Sequence, residues 1–182
     1  MKIVCLDPGH SGCPDVGAVG LFTMEYQEAW KIANRVKEIL EKTKEYIVFM
    51  TKEEAEDSLS NSLAFRCQYA NSLHVHVFVS IHLNASVNHS AKGTETYHYA
   101  SSSKGKKLAN HIQKQLVACL GFRDRGVKTA NFYVLKHTHA PAVLTEVGFI
   151  SNPNEEKLMS EKIEQTAQAI AQGIIDYFYE GN

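Results

Sequence analysis

Val75-His76-Val77-Phe78-Val79-Ser80-Ile81 runs directly into His82-Leu83-Asn84, and this stretch decides the fold. A short apolar run closed by turn-forming residues reads as a buried strand. Its two faces differ, because successive side chains in a strand point to opposite sides. His76, Ser80 and His82 share one face, and Val77, Val79 and Ile81 share the other. Two further runs have the same form. Ile3-Val4-Cys5-Leu6 leads into Asp7-Pro8-Gly9-His10, and Ala142-Val143-Leu144-Thr145 leads into Glu146. Open α/β sheets bind ligands beyond the carboxyl ends of their strands. Two imidazoles and a carboxylate at three such ends therefore read as one site, and the chemistry they suggest is metal-assisted hydrolysis.

Working outward, the pattern predicts strands near residues 2–6, 46–50, 75–81, 94–99, 132–135 and 142–147. Helical spacing runs from Glu28 to Leu40, with Ala29, Ile32, Ala33, Val36, Ile39 and Leu40 inward. Ser62 to Ser72 reads as a second helix and Lys104 to Leu120 as a third. A long C-terminal helical region spans Asn154 to Tyr179, with a break expected near Met159. Strands and helices alternate, which predicts an α/β architecture with a mainly parallel sheet. No repeat, linker or low-complexity tract interrupts the 182 residues, which are expected to form one domain over 1–182.

Composition bounds the function. The net charge is -1, so no basic surface argues for nucleic acid. No apolar run approaches the roughly 18 residues of a membrane helix, and no basic leader with a long apolar stretch opens the chain. The expectation is a product made in the cytoplasm, without a membrane or nucleic-acid partner, and monomeric. Cys5, Cys13, Cys67 and Cys119 form no CxxC pair and are expected to be reduced. Cys13, close to His10, is a plain loop thiol on the simpler reading and a soft metal ligand on the other.

A histidine after Pro-Gly, as at His10, is weak on its own. His82 is more pointed, because an imidazole ending so apolar a strand needs a partner. Catalytic zinc takes three protein ligands and keeps one position for water. His10 and His82 supply two. The third is expected from Glu25 or from Glu28, one turn on. Glu25 is favoured, because the stretch Gly17 to Gly20 can fold back and carry it towards His10. Glu146 is a carboxylate in an apolar strand and is costly to bury without compensation. It reads either as an ion-pair partner of Arg123, Arg125 or Lys136, or as a base beside a metal site. Alternation in Thr94-Glu95-Thr96-Tyr97-His98-Tyr99 places Glu95 on the exposed face. The pairs His74/His76 and His137/His139 read as surface or rim residues. Asn84 reads as a turn residue or a substrate contact.

Together these residues resemble the zinc-dependent N-acetylmuramoyl-L-alanine amidases of type 3, a family of bacterial cell-wall hydrolases. The segments that carry the resemblance are Leu6-Asp7-Pro8-Gly9-His10, Glu25, Ser80-Ile81-His82-Leu83-Asn84-Ala85, Lys92-Gly93-Thr94-Glu95-Thr96-Tyr97 and Thr145-Glu146-Val147-Gly148-Phe149-Ile150-Ser151-Asn152. Ser62-Leu63-Ala64-Phe65-Arg66 is similar to the family's helix before the second histidine strand. Arg125-Gly126-Val127-Lys128 is similar to its loop before the fifth strand.

The resemblance implies Zn2+ held by His10, Glu25 and His82, with Glu146 catalytic. It implies a twisted, mixed sheet of about six strands flanked by helices. It also implies hydrolysis of the amide between N-acetylmuramic acid and L-alanine in peptidoglycan, by an enzyme that reaches the cell wall through lysis or another route. A zinc peptidase acting on wall peptides and an inactive wall-binding homologue are the competing expectations. The sequence after Glu25, Tyr26-Gln27-Glu28-Ala29-Trp30, is less apolar than is usual in the family.

Overall fold

The structure is a computed structural model that describes residues 1–56 and 62–180. Six strands form one sheet in the order β2-β1-β3-β6-β4-β5. In chain order they are β1 (Lys2–Pro8), β2 (Tyr46–Met50), β3 (Val77–Asn84), β4 (Thr94–His98), β5 (Asp124–Thr129) and β6 (Ala142–Phe149). Every pairing is parallel except β4 with β6. The expected single-domain, mixed but mainly parallel sheet is what the chain forms.

Among the described residues six helices flank the sheet: α1 (Glu25–Lys42), α2 (Leu63–Ser72), α3 (Ser103–Leu120), α4 (Tyr133–His137), α5 (Pro153–Glu161) and α6 (Ile163–Tyr179). The parity read from β3 sorts the layers. Val77, Val79, Ile81 and Leu83 pack with α1, α3 and α6 in the main core, and Phe78 joins a smaller core with α2 and α4. Ends are set locally. Ser62 and Ser102 accept from Phe65 and Gly105 N–H groups as N-caps, and Gly121 closes α3 in the left-handed region. None of the described helices is long and apolar enough to cross a membrane.

Three expectations need correction. Residues 132–135 are not a strand: Leu135 and Lys136 N–H groups return to the Phe132 carbonyl, and α4 buries Val134 and Leu135 in the smaller core. The fifth strand is instead Asp124–Thr129, an edge strand with its register irregular opposite Thr94 and Thr96. The C-terminal helical region breaks at Lys162, not near Met159.

Candidate metal centre

The carboxyl ends of β1, β3 and β6 meet where the sequence places its polar residues. His10 follows β1 after Gly9, and its φ of 59° lies in the left-handed region that non-glycine residues rarely adopt. Its carbonyl is held there by two buried cations, Lys52 Nζ at 2.7 Å and Arg66 Nη2 at 2.8 Å. Arg66 also donates to the Pro8 carbonyl and to Asp7 Oδ1, at 2.8 and 2.5 Å. Asp7 is 1% exposed and accepts from Thr51 and Ser80 hydroxyls, each at 2.7 Å. Burial opposes its charge, but Arg66 and these hydroxyls hold the carboxyl below its ordinary pKa.

The loop before α1 folds back as the glycine-rich stretch suggests. Glu25 N–H donates to the Ala18 carbonyl at 2.9 Å, and Ala18 N–H donates to Glu25 Oε2 at 2.8 Å. Glu25, the first residue of α1, is thereby buried between two imidazoles. Its Oε2 lies 3.1 Å from His10 Nε2, and its Oε1 lies 2.9 Å from His82 Nδ1. One donor atom from each of the three falls within 4.8 Å of the others. His10 Nδ1 meets Asp15 Oδ1 at 2.7 Å, an outer carboxylate of the kind that orients a metal-binding imidazole.

The space is shaped for these donors. A Cβ at Gly9 would fall 2.4 Å from the His82 ring, and one at Gly17 would fall 2.4 Å from His10 and 2.7 Å from Glu25. Burial raises the Glu25 pKa, but the two imidazoles outweigh it and hold the carboxyl well below the usual range. Two imidazoles and an ionised carboxylate converging on one point suit a divalent cation with nitrogen and oxygen ligands.

Glu146 is the register partner of His82 on the neighbouring strand. Its Oε2 is enclosed and has no hydrogen-bond partner among the described residues. Burial pushes its carboxyl up to about 7, with Glu25 and Glu95 adding to the rise against the opposing charge of His82. No ion pair reaches it among the described residues, so Arg123, Arg125 and Lys136 are not its partners. The same cleft is lined by Asn84, Leu63, Phe132 and Tyr133.

Other candidates fall elsewhere. Glu28 points away to Lys31 Nζ at 2.7 Å and Ser160 Oγ at 3.4 Å. Cys13 is exposed and outside the donor cluster, and all four cysteines are free. His76 Nδ1 accepts from Ile3 N–H, and His137 and His139 meet Asn71 through their backbones. Asn84 donates to Glu95 Oε1 at 2.8 Å. Glu95 is 2% exposed, against the outward position expected from alternation. Alternation is correct, but the face it selects is the one that carries Glu146.

Sequence reasoning missed Lys52 and Glu156. The Glu156 carboxylate accepts from three successive backbone N–H groups, Leu21 at 2.9 Å, Phe22 at 2.7 Å and Thr23 at 3.0 Å. It fixes the loop that leads into Glu25. An acid in the first turn of α5 carries no such signal in sequence, because that position suits any carboxylate.

The fold sets three donors that could hold a metal ion at the strand ends of an α/β sheet, an arrangement that suits a metal-assisted hydrolase. Residues 4–176 match the amidase type 3 family, described as N-acetylmuramoyl-L-alanine amidase, and the chain belongs to it. The N-acetylmuramoyl-L-alanine amidase LytC of Bacillus subtilis is 37% identical over 97% of this chain. The germination-specific N-acetylmuramoyl-L-alanine amidase of the same organism is 33% identical over 98% of this chain and 81% of its own length. The chain spans 36% of LytC, so about a third of that relative. The catalytic domain of CwlV, an amidase of Bacillus (Paenibacillus) polymyxa var. colistinus, superposes with a TM-score of 0.90 at 37% identity, covering 98% of this chain and 99% of that one.

Proposed function

We propose that residues 1–182 are a zinc-dependent amidase domain that cleaves the amide between the lactyl group of N-acetylmuramic acid and L-alanine in peptidoglycan. The observation that carries this reading is the register of Glu146 beside His82, with an enclosed, unpartnered oxygen next to a three-donor cluster. His10, Glu25 and His82 are the ligands. When bound, zinc supplies Lewis acidity that polarises the amide carbonyl and brings the pKa of water towards neutrality. Glu146 takes the proton of the attacking water and passes it to the leaving alanine nitrogen. Its raised pKa suits a group that must both accept and donate near neutral pH. Asp15 orients His10, and Asp7, Arg66 and Lys52 fix the backbone from which that ligand projects.

The test digests purified walls with and without a chelator and identifies the new amino terminus. The expected result is chelator-sensitive release of an alanine terminus with muramic acid left intact. A new terminus elsewhere in the stem peptide would make the enzyme a peptidase instead. Glu146→Gln should keep its zinc and lose on the order of a hundredfold or more in rate. Glu25→Ala should lose the metal, whereas Glu28→Ala should retain it.

A further inference from the structure

The strand register that pairs His82 with Glu146 continues across the sheet. Glu146 is the register partner of Glu95 on β4, and β4 pairs with β5. At that point two cations meet one carboxylate. Glu95 accepts from Asn84 Nδ2 at 2.8 Å, Tyr97 Oη at 2.9 Å, Arg125 Nε at 2.7 Å and Lys128 Nζ. Glu95 is shared between these two cations, and Glu155 is a further carboxylate in electrostatic contact with Arg125. The nearest other acid on β5, Asp124, is turned to Gln113 Nε2 and the Gly126 N–H. Arg125 and Lys128 are 30% and 38% exposed, so neither is closed off. Glu95 uses Arg125 through Nε and takes one of three Lys128 donors, and Arg125 Nη1 donates to the Lys92 carbonyl at 3.4 Å, which still leaves N–H groups on both. The Arg125 guanidinium lies over the Phe149 ring, its carbon 5.0 Å from the ring centre.

The order of the row gives the direction of the substrate. Glu146 must lie against the leaving nitrogen, because it gives that nitrogen its proton. The donor cluster lies on one side of Glu146, on β1, β3 and the start of α1, and Glu95 with its two cations lies on the other. The peptide beyond the leaving nitrogen therefore runs towards β4 and β5. Neighbouring strands are about 4.8 Å apart, so β5 is roughly 10 Å from Glu146. An extended peptide advances about 3.3–3.6 Å per residue, and its second or third residue from the cut arrives there.

We infer that Arg125 and Lys128, braced by Glu95, form a carboxylate-binding subsite for an acidic residue of the stem peptide on the leaving-group side. This rests on the amidase reading above. The test uses two synthetic muramoyl peptides that differ only in a free carboxylate or a carboxamide on the residue after alanine. The zinc-loaded wild type should favour the carboxylate by on the order of tenfold in kcat/KM, mostly through KM, as expected for a charge-assisted hydrogen bond. Arg125→Gln and Lys128→Gln should each shrink that preference towards one, with zinc content unchanged. Each variant leaves Glu95 three of its four partners, and a thermal melt checks that the fold is retained. Equal cleavage of both substrates by the wild type, or full selectivity in both variants, overturns the subsite alone. Cleavage of neither substrate overturns the amidase reading and the subsite with it.

Discussion

Asp7 shows how one buried charge can organise a centre without touching it. Three donors, Thr51, Ser80 and Arg66, surround its carboxylate, and through Arg66 it steadies the carbonyl of His10. Removing one member of a buried ion pair costs about 3–5 kcal/mol, because the other is left uncompensated. Asp7→Asn should therefore lower unfolding stability by about that much at neutral pH. The pH dependence follows in sign. The folded pKa lies below the ordinary value, so the stabilisation is fully present above the unfolded pKa of about 3.9 and is lost as pH falls through the folded value. Denaturant unfolding at a series of pH values should show a constant gap between wild type and Asp7→Asn above about pH 5, narrowing below pH 4. A gap independent of pH down to the acid transition would show that Asp7 is not ionised in the fold. The argument that singled out Glu146, the cost of a carboxylate in an apolar strand, applies equally to Asp7 and finds Arg66. It does not find Lys52, because a lysine between a strand and a loop is exposed by default, and its burial follows from tertiary contacts with the His10 and Ala55 carbonyls and the Tyr26 ring.

Elements were legible where periodicity and burial agree. The runs ending at His10, His82 and Glu146 form strands close to their expected limits because each is buried on both faces. Phe132-Tyr133-Val134-Leu135 misleads because its residue types favour strands, while packing against α2 makes it a helical turn. Asp124–Thr129 is hard to see because only Val127 in it is apolar, and it is paired on one side only, to β4. Tertiary contact also decides a residue in α6 that looks unremarkable in sequence. Gly173 lets that helix approach α3 so closely that a Cβ would fall 2.7 Å from Ile112 Cα. Gly173→Val should cost about 1–3 kcal/mol through overpacking, read as a lower melting temperature by about 2–4 °C per kcal/mol. A melting temperature at or above wild type would show that the two helices separate freely.

For the whole molecule, the proposed metal binding ties the start of α1 to the paired strands β1 and β3. The donors come from the end of β1, the start of α1 and β3, and they meet only in the folded chain. Zinc at a hundredfold excess over its dissociation constant should stabilise the fold by about 2.7 kcal/mol. Melting curves with graded zinc should rise accordingly, and His82→Ala should abolish the shift. A zinc response preserved in that variant would place the ion elsewhere. The Glu156 carboxylate gives this centre a timing as well as a shape. The residues that would bind the ion, and Glu146 after them, all precede Glu156 in the chain, and its carboxylate holds the Leu21, Phe22 and Thr23 backbone of the loop that Glu25 and Ala18 also close between themselves. A polypeptide emerging from the ribosome thus carries the full set of reactive groups before it carries the clasp that arranges them. That part of the loop gains its hold only once α5 has been made.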